Sequence, residues 1–222
     1  MNIVSILGSP HGMKGNTSQL LQPFVRAAKA AGATVTEFSL ADLSIAPCRG
    51  CEACHRTGEC PIRDDYRTVR DSLLAADGVV LASPNYMFSV TAQLKALLDR
   101  LSGPLHCQML QNRYGAAVVT SGGGSAEVEQ YLLRFLRAMG CWTVGSVSAE
   151  ARELFEGQSF EQKVNAASSL GNELVQAIRG KRSYPQQTSE RSEFFGRMKA
   201  LILMRREDWT HEYDYWMSQN RL

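Results

Sequence analysis

The sequence predicts an α/β fold in which a doubly wound, five-stranded parallel sheet forms the middle of three layers. Five short, apolar and mostly β-branched runs recur along the chain, and a segment with helical periodicity separates each run from the next. Near-continuous apolar strands that alternate with helices are typical of a parallel sheet covered on both faces. The five predicted strands are residues 3–7, 34–40, 78–82, 115–120 and 142–147.

The segments between these runs have the apolar stripe of helices that pack on a sheet. Leu94, Leu97, Leu98 and Leu101 recur at the i, i+3, i+4 and i+7 positions of one helical face. The first helix is predicted over residues 17–31. Because doubly wound sheets bind ligands beyond the carboxyl ends of their strands, we expect the functional residues directly after the predicted strands.

Length and composition restrict the class of protein. The chain has 222 residues, of which 44% are hydrophobic, and 24 Lys and Arg residues oppose 22 Asp and Glu residues for a net charge of +2. This length buries a core without disulfides, and this charge gives no basic surface for nucleic acid. No apolar run reaches the roughly 20 residues that span a bilayer, and the first residues lack a basic leader. We therefore expect a soluble, cytoplasmic protein that binds neither nucleic acid nor membrane.

The loop after the first strand is predicted to bind an anion. Residues 8–18, GSPHGMKGNTS, are rich in glycine and hydroxyl groups and lead into the first helix. Backbone N–H groups and the positive end of the helix dipole favour a phosphate at such a position, although a simple helix cap would use the same residue types. The loop matches neither the G-x-G-x-x-G fingerprint nor a P-loop. The candidate phosphate ligands are Ser9, Asn16, Thr17 and Ser18, and His11 is either a further phosphate contact or a loop residue without a role.

Two further loops are predicted to border the same ligand. The loop after the third strand has aromatic and thioether side chains where the chain leaves the core, and such a cluster is costly unless a ligand or partner covers it. The loop after the fourth strand has three consecutive glycines, which permit close approach of a ligand to the backbone. Together with the anion loop, they suit a mononucleotide with a planar ring. The two loops are SPNYMFS, residues 83–89, and TSGGGS, residues 120–125.

A cysteine-rich segment after the second strand is predicted to be a metal or redox site. Its spacing, C-x2-C-x2-C-x5-C-P, is too crowded to connect distant parts of a fold. Four thiolates on one loop can ligate a [4Fe–4S] cluster. They also suit tetrahedral zinc, although zinc sites more often pair two Cys-x-x-Cys units across a long spacer, and free thiols or a reversible disulfide are a third interpretation. The four candidate ligands are Cys48, Cys51, Cys54 and Cys60.

Three segments of the sequence together resemble the flavodoxin-like NAD(P)H-dependent FMN reductases and, within them, the iron-sulfur flavoproteins. The segments are GSPHGMKGNTS, PCRGCEACHRTGECPIRDDY and ADGVVLASPNYMFSVTAQLKALLDR, and the resemblance covers most of residues 1–150. It implies a flavodoxin-like fold and FMN, with the phosphate at Ser9, Asn16, Thr17 and Ser18. The ring contacts that it implies for the isoalloxazine are Pro84, Asn85, Tyr86, Met87, Phe88, Ser121, Gly122 and Gly123. It also implies NAD(P)H as a substrate and a [4Fe–4S] cluster at the four cysteines, although relatives in the same group carry similar cysteines without a cluster.

The resulting hypothesis is an FMN-dependent oxidoreductase that takes hydride from NAD(P)H. The electrons pass to a small acceptor such as a quinone or free flavin or, through the cluster, to a redox partner protein. Hydride transfer requires no side-chain acid or base, so we assign no catalytic residue. The alternative is a thiol- or zinc-based redox sensor or binding module without enzymatic turnover.

Residues 1–180 are predicted to form the flavodoxin-like FMN-binding domain, and residues 181–222 a helical, aromatic-rich extension. The aromatic cluster of the extension is too apolar for a free tail, so it should dock on the body or on another subunit. We favour the subunit contact and expect a homodimer or homotetramer. The aromatic residues of this cluster are Trp209, Tyr213, Tyr215 and Trp216.

Three residues near or outside the cysteine segment are expected to have no role in the chemistry. His55 lies among the four cysteines and is interpreted as a solvated loop residue. Cys107 and Cys141 lie far from that segment and are expected to be small buried hydrophobic residues.

Overall fold

A computed structural model describes residues 1–222 and confirms the predicted five-stranded parallel sheet. The strand order is β2-β1-β3-β4-β5, the flavodoxin-like order. The order reverses between β1 and β3, so a crevice lies beyond the carboxyl ends of these two strands. The strands are β1 (Asn2–Leu7), β2 (Thr34–Ser39), β3 (Gly78–Pro84), β4 (Tyr114–Ser121) and β5 (Trp142–Glu150).

Ten α-helices accompany the sheet. The first begins and ends one residue before its predicted bounds, and the fifth strand is three residues longer than predicted. No helix combines the length and apolar character needed to cross a membrane. The helices are α1 (Asn16–Ala30), α2 (Ala53–Thr57), α3 (Tyr66–Ala75), α4 (Ala92–Arg100), α5 (Ser102–His106), α6 (Ala126–Ala138), α7 (Ala151–Phe155), α8 (Gly157–Arg179), α9 (Thr188–Met204) and α10 (Thr210–Ser218).

The sheet has an apolar core on each face. On one face, strand residues such as Ile3 and Val80 pack with residues of α1 and α8, and on the other Val79 and Leu81 pack with α3, α4 and α6. Strand β4 is buried along its whole length, which explains the uninterrupted apolar run of residues 115–119. Helices α1 and α8 approach closely because Gly171 has no side chain: a Cβ there would lie 2.4 Å from the carbonyl oxygen of Phe24.

The C-terminal helices α9 and α10 dock on their own chain. Trp209 and Trp216 are buried in a third apolar cluster together with Cys107, and Tyr213 and Tyr215 pack partly buried against it. The preferred prediction, that these aromatic residues contact another subunit, is therefore wrong for the two tryptophans. Their large apolar surface is removed from water within the monomer, which stabilises the docked arrangement.

Cys107 and Cys141 are buried, as predicted, with 1% and 0% of their surfaces exposed. Burial raises the pKa of the Cys141 thiol to about 12, and burial also raises the pKa of the Cys107 thiol. Both side chains therefore remain neutral thiols near neutral pH and act as packing residues.

Candidate functional site

The fold brings the three predicted ligand loops to one edge of the sheet. The N–H group of Gly8 donates to the carbonyl oxygen of Ala82 at 2.7 Å, and the N–H group of Asn85 donates to that of Thr120 at 2.7 Å. These bonds continue the strand pairing beyond β1 and β3. The loops after β1, β3 and β4 therefore border one crevice.

The loop after β1 is compact and ends at an uncapped helix. A 3-10 turn, Gly12–Lys14, precedes Gly15, which occupies the N-cap position of α1. A Cβ on Gly15 would lie 2.9 Å from Ser9 Oγ and 3.0 Å from His11 Cβ, so a larger residue here would require these side chains to shift. No side chain caps α1. The first-turn N–H groups of a helix lack intrahelical acceptors, so this end of α1 favours an anion.

The five candidate phosphate ligands differ in accessibility. Ser9, Thr17 and Ser18 are buried, whereas His11 and Asn16 are exposed. The Ser9 hydroxyl accepts a hydrogen bond from the His11 N–H group at 3.3 Å. Ser9 therefore contributes to the shape of the loop as well as offering a donor.

The turn after β3 holds two exposed apolar residues in a costly backbone conformation. Tyr86 and Ser89 exchange two backbone hydrogen bonds, of 2.8 and 3.1 Å, around Met87 and Phe88. Met87 and Phe88 have φ values of 49° and 65°, a region that costs a non-glycine residue on the order of 1–3 kcal/mol. Their surfaces are 88% and 77% exposed. Strain and exposed apolar surface together indicate a binding function for this turn.

Asn85 connects this turn to the glycine loop after β4. Its side-chain amide donates to the carbonyl oxygen of Gly124 at 2.9 Å, while its Oδ1 is buried without a hydrogen-bond donor. Buried polar atoms are nearly always paired, so an unpaired acceptor at a crevice suits a ligand N–H or O–H group. No atom outside the neighbouring residues lies within 4 Å of a Cβ built on Gly122, so the loop borders open space.

All four cysteines of the cysteine loop (residues 48–60) are free thiols. Cys48 and Cys51 are exposed, and Cys54 and Cys60 are half-buried. Two sulfur atoms receive N–H donors: the Gly50 N–H group lies 3.4 Å from Cys48 Sγ, and a guanidinium nitrogen of Arg100 lies 3.3 Å from Cys60 Sγ. Such donors stabilise negative charge on sulfur.

A buried ion pair fixes the C-terminal end of the cysteine loop. The Arg100 side chain is fully buried, and its guanidinium group donates to Asp64 Oδ2 at 2.5 Å and to the Ile62 carbonyl at 3.2 Å. Burial alone would raise the pKa of the Asp64 carboxyl, but hydrogen bonds from Arg100 and from two backbone N–H groups outweigh it and lower the pKa. This ion pair thus holds the arginine that contacts Cys60.

His55 is not a solvated residue, contrary to the prediction. It is 7% exposed and donates through Nδ1 to Glu212 Oε1, while His106 Nδ1 lies 3.2 Å from Glu212 Oε2. The His55 ring also stacks on Trp209, with 4.3 Å between ring centroids. Glu212 itself is fully buried. Burial would lower the pKa of His55, but its contacts with Cys54 and Glu212 raise it to about 10.

The contact with His55 changes the pKa of the neighbouring Cys54 thiol. Partial burial alone would raise the pKa of the Cys54 thiol, but the interaction with His55 outweighs burial, and the pKa is lowered. Burial likewise opposes ionisation of Glu212, whose pKa is nevertheless lowered by the hydrogen bonds from His106 and His55. No local pattern in the sequence indicates this group, because His55 and Glu212 are 157 residues apart.

Comparison with known proteins identifies the family. Residues 1–153 match the model of the NADPH-dependent FMN reductase family, and the chain belongs to that family. The protein is therefore an FMN-dependent oxidoreductase, with the iron-sulfur flavoproteins as its subgroup.

Two archaeal relatives illustrate the subgroup. An iron-sulfur flavoprotein of Archaeoglobus fulgidus is 33% identical over 183 residues, which cover 82% of each chain. An iron-sulfur flavoprotein of Methanosarcina thermophila is 34% identical over 154 residues, covering 67% of this chain and 79% of the relative.

Solved structures show the same fold at lower identity. RosB aligns with a TM-score of 0.64 and 11% identity, covering 87% of this chain and 86% of RosB. A flavodoxin, WrbA-like protein from Agrobacterium tumefaciens aligns with a TM-score of 0.57 and 19% identity, covering 82% of this chain and 99% of that protein. These similarities establish the flavodoxin-like fold.

The residues at the crevice fit FMN. The uncapped start of α1 suits its phosphate, and the unpaired Asn85 Oδ1 suits a polar N–H or O–H group. Met87 and Phe88 offer apolar surface to a planar ring. The cysteine loop offers the donor set of a thiolate-ligated cluster, namely four free thiols with N–H donors at Cys48 and Cys60.

Proposed function

We propose that the protein takes hydride from NAD(P)H at an FMN held in this crevice and passes the electrons to a small acceptor or a redox partner. The observation that best supports this proposal is the strained turn that displays Met87 and Phe88 beside the unpaired Asn85 acceptor. When bound, FMN supplies two-electron chemistry with the nicotinamide, which leaves as NAD(P)⁺.

The first loop would hold the phosphate. The N–H groups at the start of α1 and the hydroxyls of Ser9, Thr17 and Ser18 would donate to its oxygens, and Asn16 and His11 would contact it from the exposed rim. Each hydrogen bond to a charged group contributes about 1.5–3 kcal/mol. Binding would also neutralise the partial positive charge at the helix end.

The other two loops would orient the ring. Residues 84–88 would contact one side of the isoalloxazine, with Asn85 Oδ1 accepting a hydrogen bond from it. Residues 121–123 would also approach it, Gly122 and Gly123 through backbone alone. Apolar contacts would exclude water from the ring on the protein side. No side chain need donate or accept a proton in hydride transfer, so the protein would act by orientation and electrostatics.

The cysteine loop would ligate a [4Fe–4S] cluster. Thiolate ligation suits Cys54, whose pKa is lowered. Cys48 and Cys60, which receive N–H donors, and the exposed Cys51 would complete the four ligands. Such a cluster would supply single-electron transfer between the flavin and a partner protein.

We also propose the assembly and location of the protein. Residues 1–180 would form the FMN-binding domain and residues 181–222 its extension, within a homodimer or homotetramer. The exposed apolar residues Met13, Met87 and Phe88 near the crevice support such an assembly. Four free thiols on one loop suit the reducing cytoplasm.

An anaerobic absorption spectrum of the purified protein, with FMN, iron and sulfide assays, tests the function. We expect stoichiometric FMN whose oxidised band bleaches on NADPH or NADH addition, and about four iron and four sulfide per chain, the stoichiometry of a [4Fe–4S] cluster. Protein that binds no FMN would contradict the flavin site. Protein with FMN and zinc, or with FMN and no metal after reconstitution with iron and sulfide, would contradict the cluster alone.

A further inference from the structure

The C-terminal extension contacts the middle of the cysteine loop through several polar bonds. Trp209 Nε1 and Arg205 both donate to Glu52 Oε2 at 3.2 Å, and the Thr210 hydroxyl donates to the Arg56 carbonyl at 3.2 Å. Together with the bond between His55 and Glu212, these contacts form what we name the C-terminal clamp. They reach the loop between Cys51 and Cys60, which is the part that includes α2 and Cys54.

The buried carboxylate is the central member of this clamp. Glu212 is fully buried, and its two oxygens accept hydrogen bonds from His55 on α2 and His106 on α5. A buried carboxylate is stable only when such donors compensate its lost hydration. Glu212 therefore requires both histidines, and the position of His55 fixes that of its neighbour Cys54.

The ring geometry favours a hydrogen-bonded carboxylate over a metal ion. The ligand atoms of His55, His106 and Glu212 lie within 4.8 Å of one another, close enough to consider a metal site. However, the two imidazole rings are stacked, with centroids 4.9 Å apart and planes inclined by 15°. A metal ion lies near the plane of each imidazole that binds it, and two stacked rings cannot both direct Nδ1 at one ion in this way. Each ring can, however, donate to its own oxygen of one carboxylate.

We propose that Glu212 is a positioning residue that holds the α2 part of the cysteine loop, so that the loop retains its cluster. The inference rests on the proposed cluster, but its structural part concerns the protein with or without iron. Loss of the carboxylate would leave His55 without its partner and free α2 to move. Cys54 would then be more accessible, and a bound cluster would be released faster.

Two variants test this proposal, with a matched control on the same helix. Glu212→Ala removes the carboxylate, Glu52→Gln weakens the partly exposed side of the clamp, and Asp214→Ala removes an exposed carboxylate of α10. In the iron-free protein, alkylation of each cysteine is followed by mass spectrometry at about pH 9.5, where a thiol with the ordinary pKa of about 8.5 is mostly ionised in every variant and the rate reports accessibility. In the reconstituted protein, iron release to a chelator and the electron paramagnetic resonance spectrum of the reduced cluster are measured.

We expect alkylation of Cys54 relative to the exposed Cys48 to rise about tenfold in Glu212→Ala, the effect of losing one hydrogen bond to a charged group. Glu52→Gln should give a smaller rise, and Asp214→Ala none. Iron release should accelerate in the same order, and the spectrum should change only in the first two variants. Should Glu212→Ala fail to fold, Glu212→Gln, which keeps the shape of the side chain and loses its charge, takes its place with a smaller expected rise.

Unchanged Cys54 alkylation in folded Glu212→Ala, or in Glu212→Gln if that is the folded variant, would overturn the positioning role. Stoichiometric zinc bound at His55 and His106 in the native protein would overturn it as well. Altered alkylation in a protein that never binds iron would support the positioning of α2 and would instead contradict the proposed cluster. Failure of the positioning role of Glu212 and failure of the proposed cluster therefore give different results.

Discussion

The hydroxyl oxygens of Thr17 and Thr120 lie 2.7 Å apart, although 103 residues separate them in the sequence. The contact joins the first turn of α1 to the end of β4 and is buried. A hydroxyl can accept one hydrogen bond and donate another. Thr17 can therefore accept from Thr120 while it donates to a ligand over the helix end.

The first prediction follows from this pair. Thr17→Val combined with Ser9→Ala should raise the dissociation constant of FMN by about a hundredfold or more, because the variant loses two hydrogen bonds to phosphate that contribute about 1.5–3 kcal/mol each. Thr120→Val, which leaves the Thr17 hydroxyl in place, is the control and should have a smaller effect. Quenching of flavin fluorescence on binding measures the constant. Unchanged affinity in the double variant would exclude these hydroxyls as phosphate ligands.

The second prediction concerns the turn after β3. Replacing Met87 and Phe88 by Asn and Gly, which tolerate positive φ, should increase the free energy of unfolding of FMN-free protein by about 1–3 kcal/mol. The same variant should bind FMN more weakly because it lacks the exposed apolar surface. Phe155→Ser, which removes an equally exposed phenyl ring from α7, should not change FMN binding. Thermal unfolding and FMN titration give the two readouts, and a turn variant that keeps full affinity would contradict the proposed ring contact.

The third prediction concerns the ion pair of Asp64 and Arg100. Asp64→Asn should lower the free energy of unfolding by about 3–5 kcal/mol, because the buried guanidinium group loses its charged partner. Asp99→Asn, which removes an exposed partner of Lys95, should cost at most about 0.5 kcal/mol. Urea denaturation at neutral pH measures both variants. Similar losses in the two would show that the Asp64 pair contributes no more than a surface ion pair.

The lowered pKa of Asp64 also gives the third prediction a pH dependence. The folded-state pKa lies below the unfolded value, so the unfolded state takes up a proton first as the pH falls. The stabilisation is complete well above the ordinary Asp pKa of about 3.9 and is lost as the pH falls through the folded value. The stability difference between native protein and Asp64→Asn should therefore shrink below about pH 4.

The fourth prediction uses two glycines in helices. Gly171→Ala should lower the free energy of unfolding by about 1–3 kcal/mol because its methyl group would overlap the Phe24 carbonyl. Gly196→Ala in α9, where no atom lies within 4 Å of the new Cβ, should increase it by about 0.5–1 kcal/mol. Chemical denaturation compares the two. Equal effects would contradict the close approach of α1 and α8.

The fifth prediction concerns the metal content of the cysteine loop. Replacing Cys48, Cys51, Cys54 or Cys60 by Ser should remove or convert a [4Fe–4S] cluster, since a cluster of this kind requires all four thiolates. Cys107→Ser should leave the iron content unchanged. A disulfide would instead show a pairwise pattern, with two cysteines mattering and two not. Iron and sulfide assays after anaerobic reconstitution distinguish these outcomes.

The parts of the fold that local pattern determines were predictable from sequence. Strand β4 is buried on both faces, so its apolar run is uninterrupted and visible. Helix α1 also begins within one residue of its predicted start because the glycine-rich loop precedes an apolar stripe. The three loops at the sheet edge followed from topology, since parallel strands end at the same edge.

The C-terminal contacts were not predictable because they depend on partners distant in sequence. The aromatic cluster of α10 indicated burial but not the surface that buries it, and Trp216 packs on Cys107 of the body. His55 has no local feature that distinguishes a solvated histidine from one bound to Glu212. The backbone strain at Met87 and Phe88 could not be predicted from the sequence either, because neither residue type favours positive φ.

During synthesis of the protein, the cysteine loop is made before the residues of the C-terminal clamp that hold it. His55 leaves the ribosome 157 residues before Glu212, which at 5–20 residues per second is an interval of roughly 8–30 s. Throughout that interval the four thiols exist on a nascent chain without the contacts that later hold α2. An assembly system that delivers iron and sulfide would thus act on an unrestrained cysteine loop during translation. After the chain is released, the C-terminal clamp would restrain that loop.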